Sequence, residues 1–339
     1  MASVNARRVD WLDLARGIGI VLVVAGHAER GLAAAGIARG AGWHLFDLGL
    51  YTFHMPLFMV LAGLNVPGSL RRGPRAFVMA KVWTIAWPYV LWSLVQGVLG
   101  VELTGVTNGH AQWSALAMIA WRPISPFWFL YALMVFMIVT ALVSPRLWLL
   151  APLALAGMVA SQWLDGDRIG HQLCYQAGFF AVGVLASAPI RALDTRMALV
   201  ILPLAVALWC AALVMLPLTG DTPYLMPASL PAAWCGIAAA LALSRLIARS
   251  PLLISLGRAS MTIYVLHILG TAGARAALIR MHLPPHAAAY WIICTAVGLG
   301  LPWLAHQGFG RMGVLPVLGL APRNTPAIPA VIFMAPLRG

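Results

Sequence analysis

A few polar residues interrupt the first long apolar segment of the chain, and their types and spacing suit proton-transfer chemistry. Asp13 and Arg16 are three residues apart, so they can pair on one face of a helix. Arg16 and His27 are eleven residues apart, close to three full turns, so they share a face and lie roughly 16 Å apart along the axis. A neutral imidazole is a natural general base for a hydroxyl nucleophile. A helix-end ion pair and a buried hydrogen-bonding histidine would also explain these residues, and this segment alone leaves both interpretations open.

Two further histidines, His54 and His267, lie within or near later apolar segments. Titratable groups in such segments are costly, and they mark either function or a buried polar contact. Each of these two, taken alone, is more typical of a structural role than of catalysis. Lys81 opens the third apolar segment, where its long side chain can also extend to the membrane surface. The four cysteines lie far apart with no Cys-x-x-Cys spacing, and we predict neither a disulfide framework nor a metal site.

The elements that must position these residues are predicted to be membrane-spanning helices. The chain is 62% hydrophobic and 9% charged, against about 25% charged residues in an ordinary soluble domain. Its apolar runs are long and continuous rather than alternating, which favours helices over a β-barrel. The net charge of +13 is scattered singly between these runs. This pattern indicates membrane topology, with the lipid bilayer as partner, and not a nucleic-acid-binding surface.

The apolar pattern predicts an all-α, polytopic integral membrane protein with about ten transmembrane helices. We expect one transmembrane domain at 1–306 and a cytoplasmic or interfacial tail at 307–339. The stretch 100–125 is too polar to span and is predicted as a loop with a short interfacial helix. The expected spans are 12–35, 47–66, 76–99, 126–144, 147–164, 171–188, 197–216, 229–248, 259–281 and 286–306.

The distribution of basic residues predicts that both termini are cytoplasmic. With the N-terminus inside, 14 arginines fall in inside segments and 6 in outside segments, while Arg16 and Lys81 lie in the membrane. Acidic residues fall on the opposite side, namely Asp47, Glu102, Asp165, Asp167 and Asp221. We expect a location in a plasma membrane, and specifically a bacterial inner membrane.

Four stretches of the chain, in order, resemble motifs of one membrane enzyme family. They are RVDWLDLARGIGI with VAGH at 8–20 and 24–27, FHMPLFMVLAG at 53–63, PFWFL at 126–130, and LGRASMTIYVLH at 256–267. Together they resemble the acyltransferase-3 family of membrane acyltransferases, including its Arg-x10-His spacing at Arg16 and His27. Two positions depart from the family pattern. Ala62 stands where a serine is usual, and Lys81 is the basic residue left within the third span, after Arg71, Arg72 and Arg75.

The resemblance implies an acyl-CoA-dependent O-acyltransferase that commonly moves acetyl from acetyl-CoA to a carbohydrate hydroxyl, with no metal. It implies His27 as the catalytic base, assisted by Arg16 and Asp13, although an acyl-histidine intermediate remains open. Coenzyme A is anionic, and basic residues on the cytoplasmic side could bind its phosphates: Arg16, Arg71, Arg72, Arg75 and Lys81. The binding site of the acceptor, which could be lipid-linked, would be lined by His54, Trp128, Tyr264 and His267. Positive-inside topology explains the arginine cluster equally well, and core packing explains Trp128.

Two other classes of protein also fit parts of the sequence. A proton-coupled small-molecule transporter would use buried Asp13, Arg16, His27 and His54. The polar groups are concentrated in the first two helices, however, and no matched pair of broken helices is evident. A scaffold protein with a degenerate site is the second alternative, against which the presence of both Arg16 and His27 speaks. Transport without coenzyme A would favour the carrier, and acyl transfer would favour the enzyme.

Overall fold

The fold is described from a computed structural model, which covers residues 10–102, 112–124, 126–164, 168–216, 223–247 and 249–322. All regular structure in these ranges is helical. The start of the first motif (residues 8 and 9), the predicted loop acids Asp165, Asp167 and Asp221, and residues 323–339 of the predicted tail lie outside the described residues.

The α-helices follow one another with short connections. They are α1 (Asp10–Ala34), α2 (Ala41–Gly63), α3 (Val66–Leu70), α4 (Pro74–Lys81), α5 (Trp87–Glu102), α6 (Trp113–Ala117), α7 (Trp128–Val143), α8 (Leu150–Ala160), α9 (Arg168–Leu185), α10 (Ser187–Arg191), α11 (Thr195–Val214), α12 (Leu230–Leu246), α13 (Pro251–Arg258), α14 (Ser260–Arg280) and α15 (Ala287–Arg311). A π-helical turn, Val82–Ala86, joins α4 to α5, and 3-10 turns occur at Leu147–Leu149, Ser161–Trp163, Pro223–Leu225 and Pro227–Ser229. The short α6 lies in the stretch predicted as a loop with a short helix.

Seven helical segments in the described part of the chain are long and apolar enough to cross a membrane. They are Asp10–Ala34, Ala41–Leu70, Pro74–Glu102, Thr195–Val214, Pro227–Leu246, Ser260–Arg280 and Ala287–Arg311. The other three predicted spans coincide with the shorter apolar segments Trp128–Val143 and Leu147–Trp163 and with α9. The chain is therefore a polytopic, all-helical membrane protein, whereas the count of ten spans and the orientation of the termini stay predictions.

Large apolar side chains on the outer surface show why a bilayer is needed. On α11, Leu199, Val200 and Leu204 are each more than half exposed (61%, 68% and 58%). A soluble protein seldom exposes a contiguous apolar face of this kind, and lipid tails would cover it. The inner helices bury their polar residues instead, because only protein partners can satisfy them there.

Helix α1 lies at the centre of the bundle and contacts α2, α12, α13, α14 and α15. Small residues permit the closest of these approaches, as is common where membrane helices pack. A methyl group at Gly17 would overlap the backbone carbonyl of Leu253, and one at Gly257 would overlap the carbonyl of Asp13. This packing fixes α1, which carries His27, against α13 and the start of α14.

Replacing Gly257 with leucine should therefore destabilise the protein. The new side chain would meet backbone and not a movable side chain, so we expect a loss of about 1–3 kcal/mol or more. Thermal unfolding in detergent, followed by fluorescence, measures the change. The matched control is Gly300→Leu, because a Cβ at Gly300 meets nothing within 4 Å. Equal melting temperatures for the two variants would contradict the close packing of α1 against α13.

Candidate active site

His27 lies in the middle of α1, at the point where two cavities meet. The side chain is partly exposed to both. The larger cavity has a volume of about 660 Å³ and the central one about 260 Å³. His27 has no hydrogen-bond partner among the described residues. An imidazole in this position can accept a proton from a ligand in either cavity.

His54 and His267 bring two more imidazoles to the same place, from α2 and α14. The ring centroid of His267 is 4.9 Å from that of His27. The Nδ1 of His54 lies 2.6 Å from the carbonyl oxygen of Leu50, and that of His267 lies 2.7 Å from the carbonyl of Tyr264. Since a carbonyl can only accept, each Nδ1 carries the proton and each Nε2 is an acceptor. Both Nε2 atoms are buried and without a partner in the described structure.

Arg30 follows His27 by one helical turn and faces both cavities. Its guanidinium donates two hydrogen bonds to Asp47 of α2, from Nε at 2.6 Å and from Nη2 at 3.0 Å. It also lies over the ring of Tyr51, with 3.1 Å between Cζ and the ring centroid. This bidentate and stacked arrangement holds a positive charge beside His27. The charge pattern of the sequence assigns Arg30 and Asp47 to topology, although the three-residue spacing from His27 could have identified Arg30.

Aromatic and amide side chains line the rest of the central cavity. Trp128 and Tyr264 form part of the wall, and the Tyr264 hydroxyl is held by a 2.5 Å hydrogen bond to the carbonyl of Pro126. Gln176 of α9 and Tyr51 each place a buried oxygen there without a hydrogen-bond partner among the described residues. Flat rings together with unpaired polar atoms are suited to a small polyhydroxyl ligand. The sequence pattern does not predict Gln176 or Tyr51 as site residues.

A third, narrow cavity of about 140 Å³ continues from the central one toward Arg16. The two share Val23, Met55 and Tyr264 in their walls. Arg16 and Ala62 line the far part of this third cavity. The three cavities thus form a row along α1, with Arg16 near one end and His27 between the central and the large cavity.

A family model described as an acyltransferase domain matches residues 9–307. The chain belongs to the acyltransferase-3 family. A curated relative is the nodulation protein NolL of Mesorhizobium japonicum, which is 27% identical over 201 residues, covering 56% of this chain and 50% of the relative. The chain therefore matches about half the length of that relative. No solved structure matches the chain.

The four motif regions of this acyltransferase-3 protein come from distant parts of the chain and meet around His27. α1 supplies His27, α2 supplies His54, the start of α7 supplies Trp128, and α14 supplies Tyr264 and His267. The structure thus brings together the predicted base and all four predicted acceptor-binding residues. Ala62, where the family usually has serine, lies in the wall of the narrow cavity and not beside His27.

Asp13 and Arg16, which were predicted to assist His27, lie away from it in this acyltransferase-3 protein. Asp13 is 1% exposed, accepts a 2.5 Å bond from Arg16 and lies 3.5 Å from Nε of Arg258. It is separated from His27 by 14 residues of α1, about 21 Å along the axis. Asp13 therefore ties α1 to α13 and orients Arg16, and the structure does not place it within reach of the imidazole.

The basic cluster between α3 and α4 is at the surface of the protein. The three arginines are exposed and line none of the three cavities: Arg71, Arg72 and Arg75. They follow closely after Asn65, which lines the narrow cavity together with Arg16. The ammonium of Lys81 lies 5.3 Å from the ring centroid of Phe77. These residues are therefore near the Arg16 end of the row of cavities and far from the histidine cluster.

Proposed function

We propose that this protein is a membrane O-acyltransferase that transfers an acyl group, most simply acetyl, from acyl-CoA to a hydroxyl group of a carbohydrate. The observation that carries this proposal is the position of His27 where the central and the large cavity meet, with the narrow cavity opening into the central one, so that the acyl end of a donor and the hydroxyl of an acceptor can both reach its imidazole. Family membership supports an acyl-transfer reaction.

The narrow cavity on the Arg16 side suits the donor. Coenzyme A is anionic, and cations for its phosphates are offered by Arg16, the exposed Arg71, Arg72 and Arg75, and the partly buried Lys81. The cavity beyond Arg16 is mostly apolar, which suits a pantetheine arm. Arg16 and His27 are roughly 16 Å apart along α1, a span comparable with an extended pantetheine arm.

The central and large cavities suit a carbohydrate acceptor. The unpaired Gln176 and Tyr51 oxygens can bind sugar hydroxyls, and the ring of Trp128 can lie against the apolar face of a sugar. The opening of the large cavity leaves room for an acceptor that continues into a longer glycan or a lipid. The protein would act in a bacterial inner membrane, with both termini cytoplasmic.

The reaction needs two proton transfers, one from the acceptor hydroxyl and one to the thiol of coenzyme A. His27 removes the proton of the acceptor hydroxyl as its oxygen attacks the thioester carbon. The resulting oxyanion lies near Arg30, whose guanidinium stabilises negative charge there. The carbon–sulfur bond then breaks, the thiol leaves with the proton held by His27, and an ester and free coenzyme A are formed. In the alternative route, His27 itself attacks the thioester carbon, the carbon–sulfur bond breaks, and coenzyme A leaves as the thiol with the proton that the imidazole loses. The acceptor hydroxyl then attacks the acyl-histidine, the acyl–nitrogen bond breaks, and the hydroxyl proton returns to the imidazole.

The test is acyl transfer by the purified full-length protein in nanodiscs. We expect label from [¹⁴C-acetyl]-CoA to enter a glycan extract, and no label to enter from coenzyme A labelled in its nucleotide. Absence of acyl transfer with every donor and extract, from a protein that melts cooperatively, would refute the proposal. Uptake of a labelled sugar into proteoliposomes without any coenzyme A would then favour a proton-coupled carrier.

A further inference from the structure

Arg275 of α14 is a buried cation without an acidic partner in the described structure. The residue is 8% exposed and makes neither an ion pair nor a side-chain hydrogen bond to a described residue. It lies within a segment long and apolar enough to span the membrane. An arginine in that position is costly unless it is paired, and its partner is expected to mark a functional site.

The guanidinium of Arg275 faces the large cavity beside His27. A methyl group at Gly31 would overlap Nη1 of Arg275, which places the guanidinium one turn of α1 beyond His27, about 6 Å along the axis. The described residues that line this cavity include three arginines and no aspartate or glutamate. Arg30 is already paired with Asp47, whereas Arg122 is exposed at the wall of the cavity. The large cavity therefore holds positive charge that the described residues do not neutralise.

We infer that the large cavity binds an oxyanion of the acceptor, so that the acceptor is an anionic carbohydrate whose phosphate, diphosphate or carboxylate pairs with Arg275. That the ligand is the acceptor rests on the proposed function, whereas the anion site itself rests on Arg275 alone. Arg122 supplies a second cation on the way in. The reacting hydroxyl then reaches His27 while the anionic group binds Arg275, farther along α1. The distance between the two groups fits an anionic group on a neighbouring sugar or a phosphate that links the sugar to a carrier.

Arg275→Met tests the inference in matched pairs of acceptors. The pairs are a glycan linked to polyprenyl diphosphate and the same glycan released, a sugar phosphate and its free sugar, and an oligouronide and its carboxyl-reduced form. We expect a 10- to 100-fold rise in KM for the anionic member that is used, and an unchanged KM for its neutral counterpart. The pair that shows the effect identifies whether the charge is a lipid-linked diphosphate, a soluble phosphate or a carboxylate. Equal use of charged and neutral members by the wild type would overturn the inference.

Two further variants separate a binding role from a structural one. Gly31→Ala keeps every charge but displaces the Arg275 guanidinium, and it replaces a helical glycine with the best helix former. It should raise the same KM as Arg275→Met. Arg280→Met is the matched control, because Arg280 ends the same helix and is exposed. An effect of Arg280→Met equal to that of Arg275→Met would contradict a specific site.

A binding measurement without turnover separates this inference from the proposed function. Inorganic diphosphate should raise the melting temperature of the wild type in detergent, and Arg275→Met should weaken its apparent Kd at least tenfold. If no acceptor is ever acylated but this difference is seen, the proposed function fails and the anion site remains. If the wild type and Gly31→Ala respond to diphosphate alike, the anion site is refuted, whether or not Arg275→Met folds.

Discussion

Replacing His27 with glutamine should lower kcat for acyl transfer about 10²- to 10⁴-fold, the usual contribution of a general base. Glutamine keeps the polar end of the side chain but cannot take up a proton. The neighbouring histidines should not substitute, because the hydrogen bond from Nδ1 to a backbone carbonyl holds each ring at its own position, and its free Nε2 cannot move to the place of the His27 ring. KM for acyl-CoA should change little, since the basic residues at the Arg16 end lie about three helical turns away.

The measurement is the initial rate of label transfer from acetyl-CoA to the acceptor, at saturating donor and equal folded protein. His44→Gln is the matched control, because His44 is exposed and lines none of the three cavities. A rate for the His27 variant within a few fold of the control would remove His27 as base or nucleophile. Incubation without acceptor separates the two chemical routes, since an acyl-histidine intermediate leaves acid-labile label on the wild-type protein and direct transfer leaves none.

The helices and the histidine cluster illustrate how far sequence reasoning reaches. Long apolar runs determine helices locally, and each of the ten predicted spans coincides with helical structure. The spacing of Arg16 and His27 places both along one row of cavities. That His54, Trp128, Tyr264 and His267 meet around His27 was suggested by motif resemblance, because periodicity within a helix says nothing about which helices are neighbours.

The missed residues are those whose function depends on a partner from another helix. Asp47 and Arg275 carry charges that positive-inside counting assigns to topology, yet the fold pairs Asp47 with Arg30 and turns Arg275 toward the large cavity. Gln176 is an ordinary polar residue until packing buries its oxygen without a partner. The role of Asp13 likewise depends on tertiary structure, because its contact with Arg258 joins α1 to α13.

The second large effect is expected at Arg30. Arg30→Met should lower kcat about 10²- to 10³-fold, as loss of an oxyanion-stabilising donor does. It should also destabilise the protein by about 2–3 kcal/mol, because Asp47 would remain partly buried without its partner. The side chains of Arg30 and Asp47 are 33% and 19% exposed, which places the stability effect below that of a fully buried pair. Arg39→Met is the control, since Arg39 is exposed on the segment that follows α1.

A double-mutant cycle with Asp47→Asn separates the two effects of Arg30. Asp47→Asn removes the carboxylate that Arg30→Met leaves without its cation, so Arg30→Met/Asp47→Asn should recover most of the melting temperature lost in Arg30→Met. It should not recover kcat, because the cation beside His27 is still missing. Recovery of kcat together with stability would show instead that Arg30 acts by fixing α2 against α1, and another donor would then have to stabilise the oxyanion. Because Tyr51 lies directly under the guanidinium, Tyr51→Phe should leave the melting temperature nearly unchanged, since the ring and its contact with the cation are retained.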